Sequence, residues 1–427
     1  MVDKALETLF ALAMGDAYGV GFEFMGVEEI VQRYSELPDY SIGGGPFDFA
    51  PGQFSDDTEM AALTLYSLHH NQGFDEIHLT NLYKAWAHVA KDVGIQTKEA
   101  LMDGVIDYRG EGNGALMRIL PSAVYMKDVL KWNISKIHHT CEKISAITHD
   151  NYTVHAINIF FVDLMFGEPI ERHQGLIELF RRTDGTNGWV MNTARIVFEA
   201  FERDYTIING FKSIVAQGGD TDTHCAIYGA LRGYRESIDF ELRKRLLSGV
   251  SIELLEGLYE ISLHRYYPNP NDQTILAGQY PGSPYPIAHA IKSATLAQEG
   301  CNLIVNLMEE EEMERFVPYE MIVTQLNPSI QFIHIPIVDM GVPNLHQLET
   351  NLLFLAETVE QKIYIHCWGG HGRTGTVVGA YLISCLGMEV KDALSQIREQ
   401  RLKTPFGDAP SPQTYEQIEF LYTIAEN

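Results

Sequence analysis

The stretch HCWGGHGRTG, at residues 366–375, places a cysteine and an arginine six positions apart around a glycine-rich loop. We expect a buried strand at residues 363–366, a loop at 367–372 and a helix at 374–387, so that the loop amides converge at a helix N-terminus. Unpaired amides and the helix dipole favour an oxyanion there, and the same field favours a thiolate over a thiol. Cys367 is therefore a candidate nucleophile.

Two further side chains in this stretch suit phosphoryl chemistry. Arg373 carries a planar fork that can hold two oxygens of a phosphoryl group, which a lysine cannot do bidentately. Thr374 can donate its hydroxyl to the thiolate or to the departing sulfur. The alternative is a buried structural cysteine before a turn that binds no anion, but the cysteine, arginine and three glycines in register favour a phosphate-binding loop.

The loop resembles the Cys-x5-Arg-Thr signature of the protein tyrosine and dual-specificity phosphatases, and most of all the kinase-associated type. Residues 272–427 resemble that family throughout. The resemblance implies an α/β domain with a parallel central sheet. It also implies that Asp339, in IPIVDMGVPN, is the general acid, and that Gln413, with Gln417 after it, orients the water that hydrolyses the phosphocysteine.

The resemblance further implies that the loop itself binds the substrate phosphate. His371 departs from the family pattern as a bulky titratable residue, and no motif for clamping phosphotyrosine precedes the loop, so the identity of the substrate stays open. The loop residues expected to contact the substrate are Trp368, Gly369, Gly370, His371 and Gly372.

Two acidic clusters stand in the first half of the chain, FSDDTEM and GGDTDTHCAIYGAL, each just before a predicted helix. Because Asp, Ser and Thr are favoured at helix N-termini, capping explains either cluster alone about as well as a binding site does. Together the clusters would form an oxygen-rich cage for hard divalent ions. The candidate ligands are Ser55, Asp56, Asp57, Asp220, Asp222 and Thr223.

Residues 6–263 resemble the ADP-ribosylglycohydrolases, including the dinitrogenase reductase-activating branch. The resemblance is carried by GDAYGVGFEF, SDDT, GNGALMR and GGDTDT, which occur in the family order. It implies a compact all-α bundle with two magnesium, or manganese, ions in a central cleft, held by the six candidate ligands. The expected reaction is glycosidic hydrolysis, in which the cations orient the ribose diol and activate a water.

The same resemblance implies roles for further residues around the cleft. Glu23 matches a mobile glutamate flap near the metals, and the loop of Gly112, Asn113 and Gly114 approaches the phosphates of ADP-ribose, where only bare backbone comes so close. His149 faces the ribose or the phosphates, or is simply a polar residue at a helix end. His224 departs from the small residue usual after GGDTDT.

Length, periodicity and composition predict two domains, 1–265 and 272–427. Helical spacing at 58–69, 154–165 and 190–201 predicts an all-α first domain, and prolines and glycines at 262–286 mark the junction. Short apolar runs at 301–308, 331–340 and 362–367 then alternate with amphipathic stretches at 345–360 and 374–386, which predicts a parallel α/β domain. The acidic run EEEEMER, from Glu309, reads as a solvated loop or helix start.

The net charge of −26 disfavours nucleic acid and anionic lipid surfaces as partners. Divided at residue 269, the charge is −15 (23 minus 38) before and −11 (8 minus 19) after, so both halves are acidic. No apolar run reaches the length of a membrane helix. Five cysteines without paired spacing suit a reducing compartment, and we expect a cytoplasmic protein.

The resulting hypothesis is a bifunctional hydrolase that acts on an ADP-ribosylated protein or small molecule and on a phosphorylated substrate. One alternative is a catalytically silent ADP-ribose-binding module that recruits an active phosphatase. Another is a phosphate-sensing scaffold with two silent sites, which would require substitutions at Cys367 or Arg373 that the sequence does not contain.

Overall fold

The computed structural model describes residues 3–344, 346, 348, 362–405 and 407–426. The chain divides into two compact units, Met1–Glu260 and Ile261–Asn427. The predicted domain limits, 265 and 272, fall shortly after this division. No helix among the described residues has the length and apolar character that crossing a bilayer requires.

The first unit is built from helices, which confirms the predicted all-α class. The predicted helices at 58–69, 154–165 and 190–201 lie inside α3, α8 and α10. The α-helices are α1 Lys4–Gly19, α2 Val27–Arg33, α3 Asp56–Asn71, α4 Glu76–Ala87, α5 Ile95–Lys98, α6 Leu116–Asp128, α7 Ile134–Ala146, α8 Tyr152–Phe166, α9 Gln174–Phe180, α10 Val190–Glu202, α11 Ile207–Val215, α12 Thr221–Arg235, α13 Phe240–Leu246 and α14 Gly249–Glu256. Short 3-10 turns occupy Val20–Phe22, Ile170–His173 and Leu258–Glu260, and a π turn Glu99–Asp103.

Helices α1 and α12 pack with their backbones nearly touching. A Cβ on Gly15 would lie 2.1 Å from the carbonyl oxygen of Cys225, and one on Gly19 would lie 2.4 Å from that of Thr221. Glycine is therefore required at both positions, because any side chain would force the helices apart. This contact brings the C-terminal half of α1 against the first turn of α12, where one acidic cluster begins.

The second unit is an α/β domain with a mostly parallel sheet, as predicted. Its strand order is β1-β2-β5-β3-β4, and only β1 is antiparallel to its neighbour. Strands β2, β3 and β5 are buried along their whole length, as expected for strands covered on both faces. The strands are β1 Arg265–Tyr266, β2 Ile275–Gly278, β3 Leu303–Asn306, β4 Gln331–His334 and β5 Ile363–His366.

The described helices of this unit include one that starts directly after the glycine-rich loop. They are α15 Pro286–Gln298, α16 Glu310–Met313, α17 Glu320–Leu326, α18 Gly372–Ser384, α19 Val390–Arg401 and α20 Tyr415–Glu426. Helix α18 begins two residues before the predicted start at 374. The amphipathic stretch predicted at 345–360 falls almost entirely outside the described residues.

Candidate active sites

A cleft of 630 Å³ in the first unit is lined by acidic side chains and is called the acidic cleft below. The two acidic clusters meet beside it, because α3 and α12 bring their N-termini together. Thr223 donates through Oγ1 to Oδ2 of Asp57 at 3.3 Å, and Ser55 Oγ donates to the same oxygen at 3.2 Å. All six candidate ligands are buried: Ser55, Asp56, Asp57, Asp220, Asp222 and Thr223.

Helix capping explains the position of Ser55 in the first acidic cluster, but it does not explain that of Asp220 in the second. Ser55 is the N-cap of α3 and accepts from the amide of Asp57 at 3.4 Å. Asp220 holds the N-cap position of α12, yet its side chain makes no capping bond. Its Oδ2 instead accepts from Nδ2 of Asn113 at 2.6 Å, so this carboxylate is directed toward the glycine-containing loop at the cleft.

Two more carboxylates, Asp16 and Asp92, join this site. Oxygens of Asp16, Asp57 and Asp222 lie within 4.8 Å of one another, and so do oxygens of Glu23, Asp92 and Asp222. Asp222 therefore belongs to both groups. Asp16 stands out in the sequence as an acid among apolar residues, whereas Asp92 lies in a polar loop that shows no such contrast.

Asp16 also anchors the helix that carries the first cluster. Its carboxylate accepts from the backbone amides of Ser55 at 2.9 Å and of Thr58 at 3.0 Å. These are two of the unpaired donors at the beginning of α3, and a carboxylate also suits the positive end of the helix dipole. Asp16 thus fixes the position of Asp57, which follows in the first turn.

The buried carboxylates of the acidic cleft destabilise one another's ionised form. Burial, reinforced by neighbouring acids, raises the pKa of Glu23 to about 8 and the pKa values of Asp57 and Asp222 well above the usual range. Each of these three residues has one buried oxygen without a hydrogen-bond partner. Within the described part of the chain no Lys or Arg pairs with them, so the donor set fits hard divalent cations.

The loop Gly112–Asn113–Gly114 forms another wall of the acidic cleft. A Cβ on Gly112 would lie 3.1 Å from Nε2 of His149, and one on Gly114 would lie 3.0 Å from its Cε1. Burial lowers the pKa of His149 to about 3, so the imidazole is neutral. His224, at the other cluster, is fully buried with Nε2 3.2 Å from Oγ1 of Thr193 and stands outside both carboxylate groups.

The glycine-rich loop of the second unit joins β5 to α18 and borders a pocket of 310 Å³, called the cysteine pocket below. Cys367 is 4% exposed, directly after the central strand. Gly370 has φ of +73°, and a Cβ there would lie 2.5 Å from the carbonyl of Gly278, so the loop requires glycine at this position. Other residues lining the cysteine pocket are Asp339, Met340, Trp368, Gly369, His371, Gly372, Arg373 and Gln413.

Arg373 is held by a carboxylate that the sequence did not single out. Its guanidinium donates to both oxygens of Glu312, with Nη2–Oε1 at 3.0 Å, and to the carbonyl of Ile337 at 3.2 Å. Asp339 Oδ1 lies 3.1 Å from Nη2 of the same arginine. The acidic run from Glu309 was interpreted as a solvated loop or helix start. It does begin helix α16, but Glu312 is not merely solvated, because its carboxylate pairs with Arg373.

The two glutamines after the loop have different environments. Gln417 is fully buried, accepts from the amide of Gln413 at 2.9 Å and donates to the carbonyl of Gly341 at 2.9 Å. Its amide is thereby committed to the backbone, whereas the exposed Gln413 side chain borders the cysteine pocket. The hydroxyl of Thr374 is buried without a hydrogen-bond partner.

Comparison with known proteins agrees with both resemblances. Residues 1–165 match the family described as ADP-ribosylglycohydrolase. Residues 288–426 match the family described as Swiss Army Knife protein, DSP-PTPase phosphatase domain. Both are families of hydrolases.

Individual proteins similar to this chain include a glycohydrolase and a putative phosphatase. An ADP-ribosyl-[dinitrogen reductase] glycohydrolase of Rhodospirillum rubrum is 28% identical over 56% of this chain and 87% of its own. A putative tyrosine phosphatase of Invertebrate iridescent virus 3 is 35% identical over 26% of this chain and 45% of its own. A solved ADP-ribosylglycohydrolase-related protein complex aligns with 60% of this chain and 97% of its own, at 24% identity and a TM-score of 0.48.

The shared position of Asp222 gives a prediction about stoichiometry. If the site holds two divalent ions, Asp222→Asn in the full chain should abolish binding of both, because Asp222 belongs to both sets of three acidic residues. Asp92→Asn should remove only one ion, because Asp92 belongs to one set. Titration calorimetry with manganese or magnesium measures the number of ions. Glu76→Gln, the same loss of a carboxylate at an exposed residue of α4, is the control and should keep two. Two ions remaining in Asp222→Asn would contradict the assignment.

The contact between Glu312 and Arg373 gives a second prediction. Glu312→Gln should weaken binding of an oxyanion such as tungstate by about tenfold or more, because the guanidinium loses its charged bidentate partner. Glu311→Gln makes the same change at an exposed neighbour and should have no effect. Inhibition of phosphate ester hydrolysis, or calorimetry, measures the affinity, and equal affinities in the two variants would contradict the role of Glu312.

Proposed function

We propose that this chain is a bifunctional hydrolase. The first domain, 1–265, removes ADP-ribose from modified targets with the help of bound divalent metal ions, and the second, 272–427, hydrolyses phosphate monoesters through Cys367. The observation that carries the proposal is that both sites are complete. The first has two sets of three acidic residues that share Asp222, and the second has Cys367, Arg373 and Asp339 around one pocket.

In the first domain, the proposed ligands of two magnesium or manganese ions are the six predicted residues together with Asp16, Asp92 and Glu23. The ions would supply binding of the ribose hydroxyls and activation of a water. The chain itself contributes position. Asp16 holds the first turn of α3, and the bare backbone at Gly112 and Gly114 leaves room for a pyrophosphate against the cleft wall.

In the second domain, the proposed steps follow from the groups around the cysteine pocket. Cys367 Sγ attacks phosphorus, the bond to the leaving oxygen breaks, and Asp339 gives that oxygen a proton. Arg373 pairs with Asp339 in the absence of substrate. A phosphoryl group bound by Arg373 competes for this contact and frees the Asp339 carboxylate, which takes up a proton before it gives one to the leaving oxygen. Gln413 then orients a water whose oxygen bonds to phosphorus as the S–P bond breaks. One proton of this water passes to the Asp339 carboxylate, inorganic phosphate leaves, and the Cys367 thiolate and the acid are restored.

We also propose that the enzyme works in the cytoplasm, on ADP-ribosylated and phosphorylated targets and not on nucleic acid. Within the described part of the chain no disulfide joins any of the five cysteines, and four of them are buried, which suits a reducing compartment. The net charge of −26 opposes association with polyanions at long range.

A crossed experiment on the full chain tests both activities. Asp57→Asn should abolish release of ADP-ribose and spare phosphatase activity, while Cys367→Ser should do the reverse; a chelator should mimic the first variant only. The substrates are peptides ADP-ribosylated on arginine or serine, free ADP-ribosylated compounds and phosphopeptides, with products identified by mass. Wild-type protein that binds ADP-ribose but releases none from any of them would instead support the silent reader.

The acid role of Asp339 gives a separate prediction. Asp339→Asn should lower kcat by ~10²-fold or more for alkyl phosphates, whose leaving oxygen needs a proton, and by much less for 4-nitrophenyl phosphate. Asp392→Asn, at an exposed residue of α19, is the control and should change neither rate. The measurement is kcat against the basicity of the leaving group, and equal losses across the series would rule out the acid role.

A further inference from the structure

A second pocket lies beside the cysteine pocket and is larger, at 460 Å³ against 310 Å³. The two pockets share Trp368, Gly369 and His371, so a ligand held by the glycine-rich loop borders both. We call the second one the basic pocket. Its remaining lining residues are His264, Arg265, Tyr266, Gly278, Gln279, Gly370, Arg401 and Thr404.

The charge of the basic pocket is opposite to that of the chain around it. Residues 261–427 contain nine Lys and Arg, and three of them, Arg265, Arg373 and Arg401, line these two adjacent pockets. Among the described residues that line the basic pocket there is no carboxylate. Two histidines add ring nitrogens. Arg265 pairs with Glu299, and Arg373 pairs with Glu312 and Asp339, so part of this positive charge is compensated. In a unit with an acidic excess, the remaining donors still point to an anionic ligand.

Arg401 also determines which proton His371 carries. Nη2 of Arg401 contacts Nδ1 of His371, and Nη1 donates to the carbonyl of Ala409 at 2.6 Å. A guanidinium has only donors, so Nδ1 must accept and the imidazole is neutral with its proton on Nε2. Burial and the charge of Arg401 both lower the pKa of His371, in agreement with this tautomer. His371 therefore offers a hydrogen-bond donor where the two pockets meet.

The packing of the loop keeps this ring in place. A Cβ on Gly369 would lie 2.6 Å from Cδ2 of His371, so the imidazole folds closely over the glycine backbone. Arg401 itself is 3% exposed and enters from α19. Both contacts fix the ring against the wall that separates the cysteine pocket from the basic pocket.

We propose that the basic pocket is a second anion subsite of the phosphatase domain, and that its substrate carries a second phosphate group besides the one that Cys367 attacks. This rests on the proposed phosphatase function and narrows its substrate class to compounds with two phosphate groups. The reacting phosphate occupies the cysteine pocket, while the second is bound beside His371 and Arg401 and is not cleaved.

Alkane α,ω-bisphosphonates of three to six carbons, with alkyl monophosphonates of equal length, test the proposal on the full chain in the presence of a chelator. Their inhibition constants are measured against hydrolysis of 4-nitrophenyl phosphate. The best-fitting bisphosphonate should bind at least about tenfold more tightly than its monophosphonate, since it adds contacts to charged donors. The difference should shrink as salt is raised.

A pair of matched variants locates the effect. Gln279 lines the basic pocket and donates to the carbonyl of Ser262 at 3.2 Å, while Gln396 lies outside it and donates to that of Pro268 at 2.8 Å. Gln279→Glu and Gln396→Glu therefore remove the same kind of bond and add the same charge. Only Gln279→Glu should abolish the preference for bisphosphonates, which is measured in each variant as the ratio of the two inhibition constants so that a change in kcat does not affect it.

The outcomes separate this proposal from the function on which it rests. Equal affinities for bisphosphonate and monophosphonate at every length, or an undiminished preference in Gln279→Glu, would overturn the second subsite while leaving the phosphatase intact. If wild type hydrolyses no phosphate ester, the phosphatase function fails. Calorimetry with the same compounds then decides the subsite by itself, because the affinities do not depend on turnover.

Discussion

The close contact between α1 and α12 is the interaction on which the acidic cleft depends. Glycines 15 and 19 let the two backbones nearly touch, and this places Asp16 and Asp222 within ligand distance of each other. Any side chain at either glycine would separate the helices and with them the carboxylates. Buried groups of like charge repel one another, so they stay together only where packing holds them and a cation can compensate their charge. The helix packing that stabilises this unit therefore also assembles its candidate metal ligands.

In the second unit, ion pairs rather than close helix packing hold the candidate anion-binding side chain, Arg373, in position. Arg373 is buried in an acidic chain, and Glu312 and Asp339 restrict its guanidinium to one orientation. Glu312 lies in the short helix α16, and the capping box of this helix holds the Glu312 carboxylate in position. The contact with Asp339 is more exposed, since 54% of that side chain is accessible, and it is this contact that we propose a phosphoryl group replaces.

The overall acidity of the chain also gives the pockets their selectivity. The net charge of −26 repels anions at long range. An anionic substrate therefore binds only where several hydrogen-bond donors lie close together. The cysteine pocket and the adjacent basic pocket are such places. In the acidic cleft, the proposed metal ions would offset carboxylates that alone repel a pyrophosphate.

The sequence by itself determined the features that depend on residues close together in the chain. The strand at 363–366, the loop with Cys367 and Arg373, and helices α3, α8 and α10 of the first unit follow from local periodicity and from glycine at a tight turn. The partners that only the tertiary structure decided are distant: Asp16 beside Asp222, Glu312 beside Arg373, and Arg401 beside His371. No local spacing encodes these pairs, because each depends on how packed helices and strands bring separate segments together.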